Sequence, residues 1–346
     1  MTSQQADRPA TIRSVSVRAP ARLHLGFLDL NATLGRRFGS IGLAVSSHHT
    51  ALTVSKSADI IIEGEQVSDE ATSRLQTITE QFYQTVGRHI PQQQQAVRIR
   101  IDNSIPEHAG FGSGTQLALT LGTALAKLHN LSFTTTELAL ELGRGKRSGI
   151  GIATFDHGGF VIDGGLKPQQ HVPPVLMHQP YPPDWRVVLV MDPHHQGMHG
   201  QTEKQAFKTL PVFPLPKAQA ICHKALMQLL PALIERDIEE FGIAITAIQA
   251  LIGDHFAEAQ GGRYTSPLVA ACLHQAQRLG HKGIAQSSWG PTGCIFVSSE
   301  QQAQTLIGQL TEFCDIHHAR ADSPVFISTQ ADNRGAIIET AYEDSL

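Results

Sequence analysis

The segment from Ile105 to Gln116, Ile-Pro-Glu-His-Ala-Gly-Phe-Gly-Ser-Gly-Thr-Gln, stands between a strand-like run and a helix-like run and constrains the fold more than any other part of the chain. Upstream, Val97, Ile99 and Ile101 alternate with Arg98, Arg100 and Asp102, the period of two expected of a half-buried strand. Downstream, Leu117, Leu121, Leu125 and Leu128 recur at helical spacing. The glycines therefore sit where a strand gives way to a helix. Gly110, Gly112 and Gly114 lack Cβ, so the backbone can turn sharply and come close to a ligand. The first amides of the helix have no intrahelical acceptor and carry the positive end of its dipole. Gly110, Phe111, Gly112, Ser113, Gly114, Thr115 and Gln116 are thus candidates to hold a phosphate or diphosphate. A plain helix cap, with Ser113 or Thr115 as N-cap, is the alternative reading.

A chain of 346 residues is long for one domain, and two closely packed domains are expected. Residues 1–14 read as a disordered tail, 15–180 as an N-terminal domain containing the glycine-rich loop, and 181–346 as a C-terminal α+β domain. The Pro-, His- and Gln-rich stretch from Pro168 to Pro183 reads as the connecting loop. Apolar residues make up 41% and charged residues 17%, enough for an ordinary core. A net charge of −4 and a pI of about 6.5 speak against a broad nucleic-acid or anionic-membrane surface, so any anion site must be local. Cys222, Cys272, Cys294 and Cys314 are far apart and form no Cys-x-x-Cys pair, which argues against a zinc site or a disulfide framework. No signal-peptide core and no run long enough to span a bilayer is present, and a cytoplasmic location is expected.

Val15, Val17 and Ala19 begin a strand that runs into Pro20 to Phe27. Two further strand patterns cover Ile41 to Val45 and Ala51 to Val54. Glu70 to Val86 reads as an amphipathic helix closed by Gly87, and Thr136 to Leu142 as a helix with capping candidates at Thr134 to Thr136. Trp185 to Met191 is a buried-strand run. Helical periodicity returns at Ile221 to Leu230, Ile234 to Ile252, Leu268 to Leu279 and Gln302 to Phe313, with strands at Gly283 to Ser287, Cys294 to Val297 and Val325 to Ser328. This interleaving favours an α+β second domain.

A second glycine-rich segment, Gly143 to Gly151, carries Arg144, Lys146 and Arg147. It fails the Walker A pattern, because Arg147 stands where Ser or Thr should follow Gly-Lys. Three cations among four glycines nevertheless favour phosphate binding over a solvated basic turn. Eighteen histidines invite metal readings. His195 and His199 have i, i+4 spacing, but Gly197 and Gly200 oppose a helix there and no third ligand is placed by spacing. Together with His194 they read as a substrate-contacting loop, with Glu203 and a helix to Phe207 behind it.

Three segments in order, Ala19-Pro20-Ala21-Arg22 after a strand, Pro106 to Gln116, and Ser287-Ser288-Trp289-Gly290-Pro291-Thr292-Gly293 between strands, together resemble the GHMP kinase superfamily. Within it the chain is most similar to the β-ribofuranosylaminobenzene 5′-phosphate synthases. That narrower likeness rests on Ala21 to Leu30, Gly35 to Ala44, Gly110 to Gln116 and Arg144 to Gly151. The resemblance implies a two-domain α+β fold, with an N-terminal mixed sheet with helices and a C-terminal ferredoxin-like α+β domain. A homodimer is the expected assembly. One departure stands out. Several superfamily kinases follow a serine-glycine-aliphatic run with an aspartate that assists phosphoryl transfer, whereas Ser148-Gly149-Ile150 is followed here by Gly151.

The reaction that the resemblance implies joins 4-aminobenzoate to phosphoribosyl pyrophosphate in methanopterin biosynthesis, forming a carbon–carbon glycosidic bond and releasing carbon dioxide and pyrophosphate. The leaving diphosphate would be met by the Gly110 to Gln116 loop and by Arg144, Lys146 and Arg147. Mg2+ is the implied cofactor, with Asp29, Glu107 and Asp156 as unranked ligand candidates. Arg22 and His24, two apart on one strand, are the expected catalytic pair, and a buried histidine of no catalytic role is the alternative. Arg36 and Arg37, with Arg22, are candidates to fork the substrate carboxylate, and Trp289, Gly290 and Thr292 to line the ring site, with Phe27 or Trp289 against the ring; ordinary core packing is the alternative reading for Trp289. An ATP-dependent small-molecule kinase on the same scaffold is the rival reading, and a ligand-sensing binding protein the third.

Overall fold

The computed structural model describes residues 11–65, 68–195, 197, 209–317 and 323–343. A first sheet contains β1 (Ile12–Asp29), β2 (Phe38–Lys56), β3 (Ile61–Glu63), β4 (Val97–Asn103), β5 (Phe160–Asp163), β6 (Val175–Gln179) and β11 (Ile337–Tyr342). Its order is β11-β1-β2-β4-β3, with β5 on β2 and β6 on β5. The β3–β4 pair is parallel and the other pairs antiparallel, so the sheet is mixed. The two strand patterns at 41–45 and 51–54 belong to one long β2, whose start pairs with β5 and whose end pairs with β4.

Burial along β1 explains why its sequence changes character. Val15, Val17 and Ala19 alternate with more exposed residues, because one face packs on α1 (Asp69–Gln84) and α2 (Ser113–Leu128). From Ala19 to Gly26 burial is nearly continuous, since the C-terminal half of the molecule covers the other face. The helix at 135–141, α3, is closed by a complete capping box between Thr134 and Glu137. α4 (Ile150–His157) follows the basic loop.

The second sheet has the order β10-β7-β9-β8, from β7 (Arg186–Met191), β8 (Gly283–Gln286), β9 (Thr292–Val297) and β10 (Val325–Thr329), all antiparallel. Helices α5 (Leu215–Lys224), α6 (Leu230–Glu235) and α7 (Ile238–Gln260) precede β8, with a π turn at Ala225–Leu229. α8 (Pro267–Arg278) leads into β8, and α9 (Glu300–His317) lies between β9 and β10. The strand order 4-1-3-2 is that of the ferredoxin-like unit implied by the family resemblance. No described helix is long and apolar enough to cross a membrane.

Three features differ from the sequence reading. β1 begins at Ile12, inside the residues 1–14 assigned to a disordered tail, because Ile12 and Ser14 pair with β11. The proline-rich stretch 168–183 contains an edge strand, β6, whose Val175 and Leu176 are exposed and so leave no alternating apolar signal. The last strand, β11, returns to pair with β1, so residues 337–342 complete the first sheet although they fall in the sequence range assigned to the second domain. The crossing is stitched by Asp332 N to Ala44 O (3.0 Å), Gly159 N to Asp332 O (2.6 Å) and Ala336 N to Phe155 O (2.6 Å). Gly158, at φ +66°, closes α4 directly against this segment, and a Cβ there would run into Asp332 O. Gly158→Val should lower the unfolding free energy by about 3 kcal/mol through backbone strain and overpacking. Urea titration checks this; an unchanged midpoint would show that the crossing is not held there.

Candidate active site

The glycine-rich loop leaves β4 and enters α2 with Gly112 as the N-cap, at φ +74° and with no side-chain cap hydrogen bond. Neither Ser113 nor Thr115 caps; both lie inside the helix. The first-turn amides therefore have no side-chain acceptor from the cap residue. Arg22 on β1 is drawn to the same turn: its backbone N–H donates to Phe111 O (3.1 Å) and its Nη1 to Gly110 O (2.9 Å). A Cβ on Gly112 would lie 2.7 Å from Arg22 Nε, so glycine here is what lets the guanidinium reach the helix start.

The loop between β8 and β9 completes the junction. Ser287 Oγ donates to Gly110 O (2.7 Å) and accepts from His24 N–H (3.0 Å), and Ser288 N–H donates to His24 O (2.9 Å). Thr292 Oγ1 donates to Ala109 O (2.7 Å), and Gly290 approaches Gly110 so closely that a Cβ would meet its N at 2.5 Å. Gly197 N–H donates to His108 O (3.2 Å). The three motifs singled out in sequence thus meet in one place, at the seam between the two sheets.

The basic segment lies along the same helix start. Arg144 Nη1 and Arg74 Nη2, the latter from α1, come within 3.4 and 3.5 Å of where a Cβ on Gly114 would be. Burial, and then the neighbouring Arg74 charge, weigh against the charged form of Arg144. Lys146 is exposed, and Arg147 lies close enough to His24 to act on its charge. The end of the segment is pinned by Asp163, which is fully buried. Its carboxylate accepts from Gly149 N–H (2.8 Å), Gly165 N–H (2.9 Å) and Ser148 Oγ (3.3 Å). Gly151, where several kinases carry an aspartate, faces Thr115: a Cβ would meet Thr115 Cγ2 at 3.0 Å, and Gly151 O accepts from the Gln116 amide (2.9 Å).

The expected metal ligands are not gathered. Asp29 caps its own turn through the amides of Asn31 (2.6 Å) and Ala32 (3.1 Å), and Asp156 pairs with Thr135. Glu107 stands beside the glycine loop, paired with Arg74, and its ligand atom lies within 4.8 Å of those of Glu70 and His108. The expected carboxylate fork is also elsewhere: Arg36 Nη1 donates to the carbonyls of Gly164 (3.2 Å) and Gly165 (2.9 Å) and to Gln170, while Arg37 lies over Phe38 and its backbone bridges to Leu166. Both fasten the 164–170 turn. Trp289 is buried against Phe256, with ring centroids 4.4 Å apart. His194 and His195 follow β7, whereas His199, Glu203 and Phe207 lie outside the described residues. Sequence reasoning gave no role to Arg74 or Glu70, which sit in an ordinary helical pattern, and quoted Ser287 in a motif without a role for its hydroxyl; each gains its place only through long-range packing.

Two family models match the chain, GHMP kinases N terminal domain over residues 73–159 and GHMP kinases C terminal over residues 229–316. The chain is 33% identical to the β-ribofuranosylphenol 5′-phosphate synthase of Archaeoglobus fulgidus, covering 93% of this chain and 99% of that one. It is 30% identical to the Methanocaldococcus jannaschii protein of the same name, over 80% and 87% respectively. Among solved structures, mevalonate diphosphate decarboxylase from Staphylococcus aureus superposes with a TM-score of 0.64 at 17% identity, covering 95% of this chain and 98% of that one. Homoserine kinase from Cytophaga hutchinsonii does so at 0.59 and 17%, covering 98% and 100%. At such identities the structures share the fold alone.

His24 is the titratable group most perturbed in the junction. Burial, then the Arg22 charge and more weakly that of Arg147, hold its imidazole down to about 3 against a normal 6.5. It is neutral at physiological pH. Because the unfolded chain takes up this proton near pH 6.5 and the folded one only near 3, His24 costs stability as the pH falls through that window. Relative to His24→Gln, the wild-type unfolding free energy should decline by up to about 1.4 kcal/mol per pH unit between pH 6 and 4. Denaturant midpoints at each pH test this, and parallel profiles would contradict it.

Proposed function

The chain belongs to the GHMP kinase superfamily, and we propose that it acts within it as a decarboxylating phosphoribosyltransferase of the β-ribofuranosylphenol 5′-phosphate synthase type. Its substrates on this reading are phosphoribosyl pyrophosphate and a para-substituted benzoate, 4-aminobenzoate or its hydroxyl counterpart, the pathway being methanopterin biosynthesis. The observation that carries the reading is the meeting of the α2 first turn with Arg22, Arg74 and Arg144, a local concentration of donors and cations in a chain of net charge −4, with the Arg147 charge acting on neighbouring His24.

The chemistry is balanced within the substrates. The bond from ribose C1 to the diphosphate oxygen breaks and its electron pair leaves with pyrophosphate. The ring carbon that bears the carboxylate supplies a π pair to C1. The ring-to-carboxylate bond then breaks, carbon dioxide departs, and that pair restores aromaticity. No ring proton has to be removed, so the step makes no demand for a general base, in keeping with a neutral, enclosed His24. The protein's task is to stabilise charge developing on the departing diphosphate and to hold the ring on the opposite face of the sugar. Backbone amides at the start of α2 and the guanidiniums of Arg22 and Arg147 serve the first task. Arg144, whose charge is opposed by burial and by Arg74, would be relieved by an anion beside it.

Glu70 and Glu107 offer the hard oxygen ligands that Mg2+ requires, beside the glycine loop, and His108 is the poorer ligand of that group. Bound there, Mg2+ would neutralise diphosphate oxygens. Gly151 places no carboxylate against a substrate hydroxyl, which supports ribosyl transfer over the kinase reading.

Incubation with phosphoribosyl pyrophosphate, Mg2+ and either 4-aminobenzoate or 4-hydroxybenzoate should yield carbon dioxide and pyrophosphate. ATP turnover without that product would favour the kinase. Arg147→Ala should raise KM for the diphosphate substrate by about tenfold, the loss of one charge-assisted contact, with KM for the aromatic acid within about threefold. Equal increases for both would remove Arg147 from the diphosphate site.

A further inference from the structure

The far end of α2 borders a pocket that the ribosyl-transfer reading does not use. A cavity of about 460 Å³ opens between α2, α3, the end of α4 and β11. Thr123 and Phe155 are buried on its floor, while Phe133 and Ile338, 39% and 40% exposed, flank its mouth together with Lys127 and Asp156. The rise along α2 from Ser113 to Thr123 is about 15 Å, which sets this pocket well apart from the proposed diphosphate site. We propose that it is a second small-molecule site, which takes an aromatic amine carrying an acidic group, the amino group on Asp156 and the acidic group toward Lys127.

A hydroxyl on the floor supplies the first argument. The buried helical threonines Thr79, Thr120 and Thr154 each donate one turn back, to the carbonyls of Leu75 (2.7 Å), Gln116 (2.6 Å) and Ile150 (2.7 Å). Thr123 is buried likewise, yet its hydroxyl has no hydrogen-bond partner among the described residues. Burying a hydroxyl without a partner costs stability, and valine would fill the same volume without that cost. On the floor of a cavity, such a group is a polar contact open to a ligand.

The rim supplies the second. One Asp156 oxygen accepts from Thr135 Oγ1, and the other has no hydrogen bond among the described residues. Partial burial pushes this carboxyl up from the ordinary aspartate range, a cost that an N–H donor beside it would offset. Glu137, the other carboxylate at the pocket, is taken up by its capping box, accepting from Thr134 N–H (2.7 Å) and Thr134 Oγ1 (2.8 Å). Asp156 is therefore the open acceptor. Phe133 and Phe155 suit a flat ring by offset or edge contacts, and Lys127 supplies a cation for an acidic substituent. The volume falls within the roughly 300–1,000 Å³ of small-molecule sites. The walls are joined to one another, since Ala336 N–H donates to Phe155 O (2.6 Å) and ties the approach to β11 to α4.

Hydrogen exchange of the full-length protein with 4-aminobenzoate as the probe tests this, because protection locates the ligand. Millimolar acid should protect residues 131–135 and 336–338. Asp156→Asn should need about tenfold more acid for half-maximal protection, the worth of one charge-assisted hydrogen bond, and benzoate, which lacks the N–H donor, should be weaker on the wild type by a similar factor. Thr123→Val should weaken the acid by about threefold without lowering the thermal midpoint, whereas a hydroxyl of purely structural role would lower the midpoint and leave the acid unchanged. Absence of protection in these segments, an Asp156→Asn variant protected at the same concentrations as wild type, or benzoate acting as well as 4-aminobenzoate would overturn the proposal. Turnover separates the two readings. Product formation with these segments unprotected would defeat the second site alone, and protection without product would defeat ribosyl transfer alone.

Discussion

One hydroxyl ties the molecule's working parts together. Ser287 Oγ lies between Gly110 O and His24 N–H, joining the glycine loop, the longest run of buried β1, and the loop of the second sheet. Its partners are 177 and 263 residues away in sequence, so the junction exists only once both sheets are in place. Arg22 reinforces it through Gly110 O and Phe111 O, and Thr292 through Ala109 O. Every carbonyl of the loop from Ala109 to Phe111 is thereby held by a group from another segment, which fixes the loop and leaves the amides at the start of α2 oriented.

That rigidity has an electrostatic consequence. Arg22, Arg74 and Arg144 are brought around a helix start that already carries partial positive charge, and the Arg147 charge reaches His24 beside it. Glu107, paired with Arg74, and Glu70 stand beside this group, and Asp163 holds the end of the basic segment. The arrangement disfavours protonation of His24 and opposes the charge of Arg144, costs that an incoming polyanion would offset. A site built this way stabilises negative charge as it develops on a leaving group and asks little of acid–base catalysis, which matches a reaction whose ring electrofuge is carbon dioxide.

Much of this was legible in the sequence where physics is local. The alternation at Val97 to Ile101 and the leucine spacing after Gly114 located β4 and α2, and Thr134 was among the capping candidates before α3. An α+β second domain followed from buried strand runs separated by helical periods, and its ferredoxin-like order from the family resemblance. What stayed hidden depends on distant partners. β6 and β11 are edge strands with exposed apolar residues and weak patterning, and β11 gains its place by crossing back to β1. Arg36 looked like a carboxylate fork because nothing local reveals that the carbonyls of Gly164 and Gly165 lie beside it. Arg74 reads as one polar residue on an amphipathic helix, and only packing of α1 on α2 brings it to Gly114. Asp29 and Asp156 have the right chemistry for a metal, but each is spent on a nearby amide or hydroxyl.

The central claim is that the diphosphate of an activated sugar is received where α2 begins. A crystal structure of the protein with pyrophosphate and Mg2+ tests it most directly. The account predicts the anion within hydrogen-bonding distance of the Ser113 and Gly114 amides, with the Arg22 or Arg147 guanidinium against it. Pyrophosphate bound at another surface, with the α2 start closed over by protein, would contradict it.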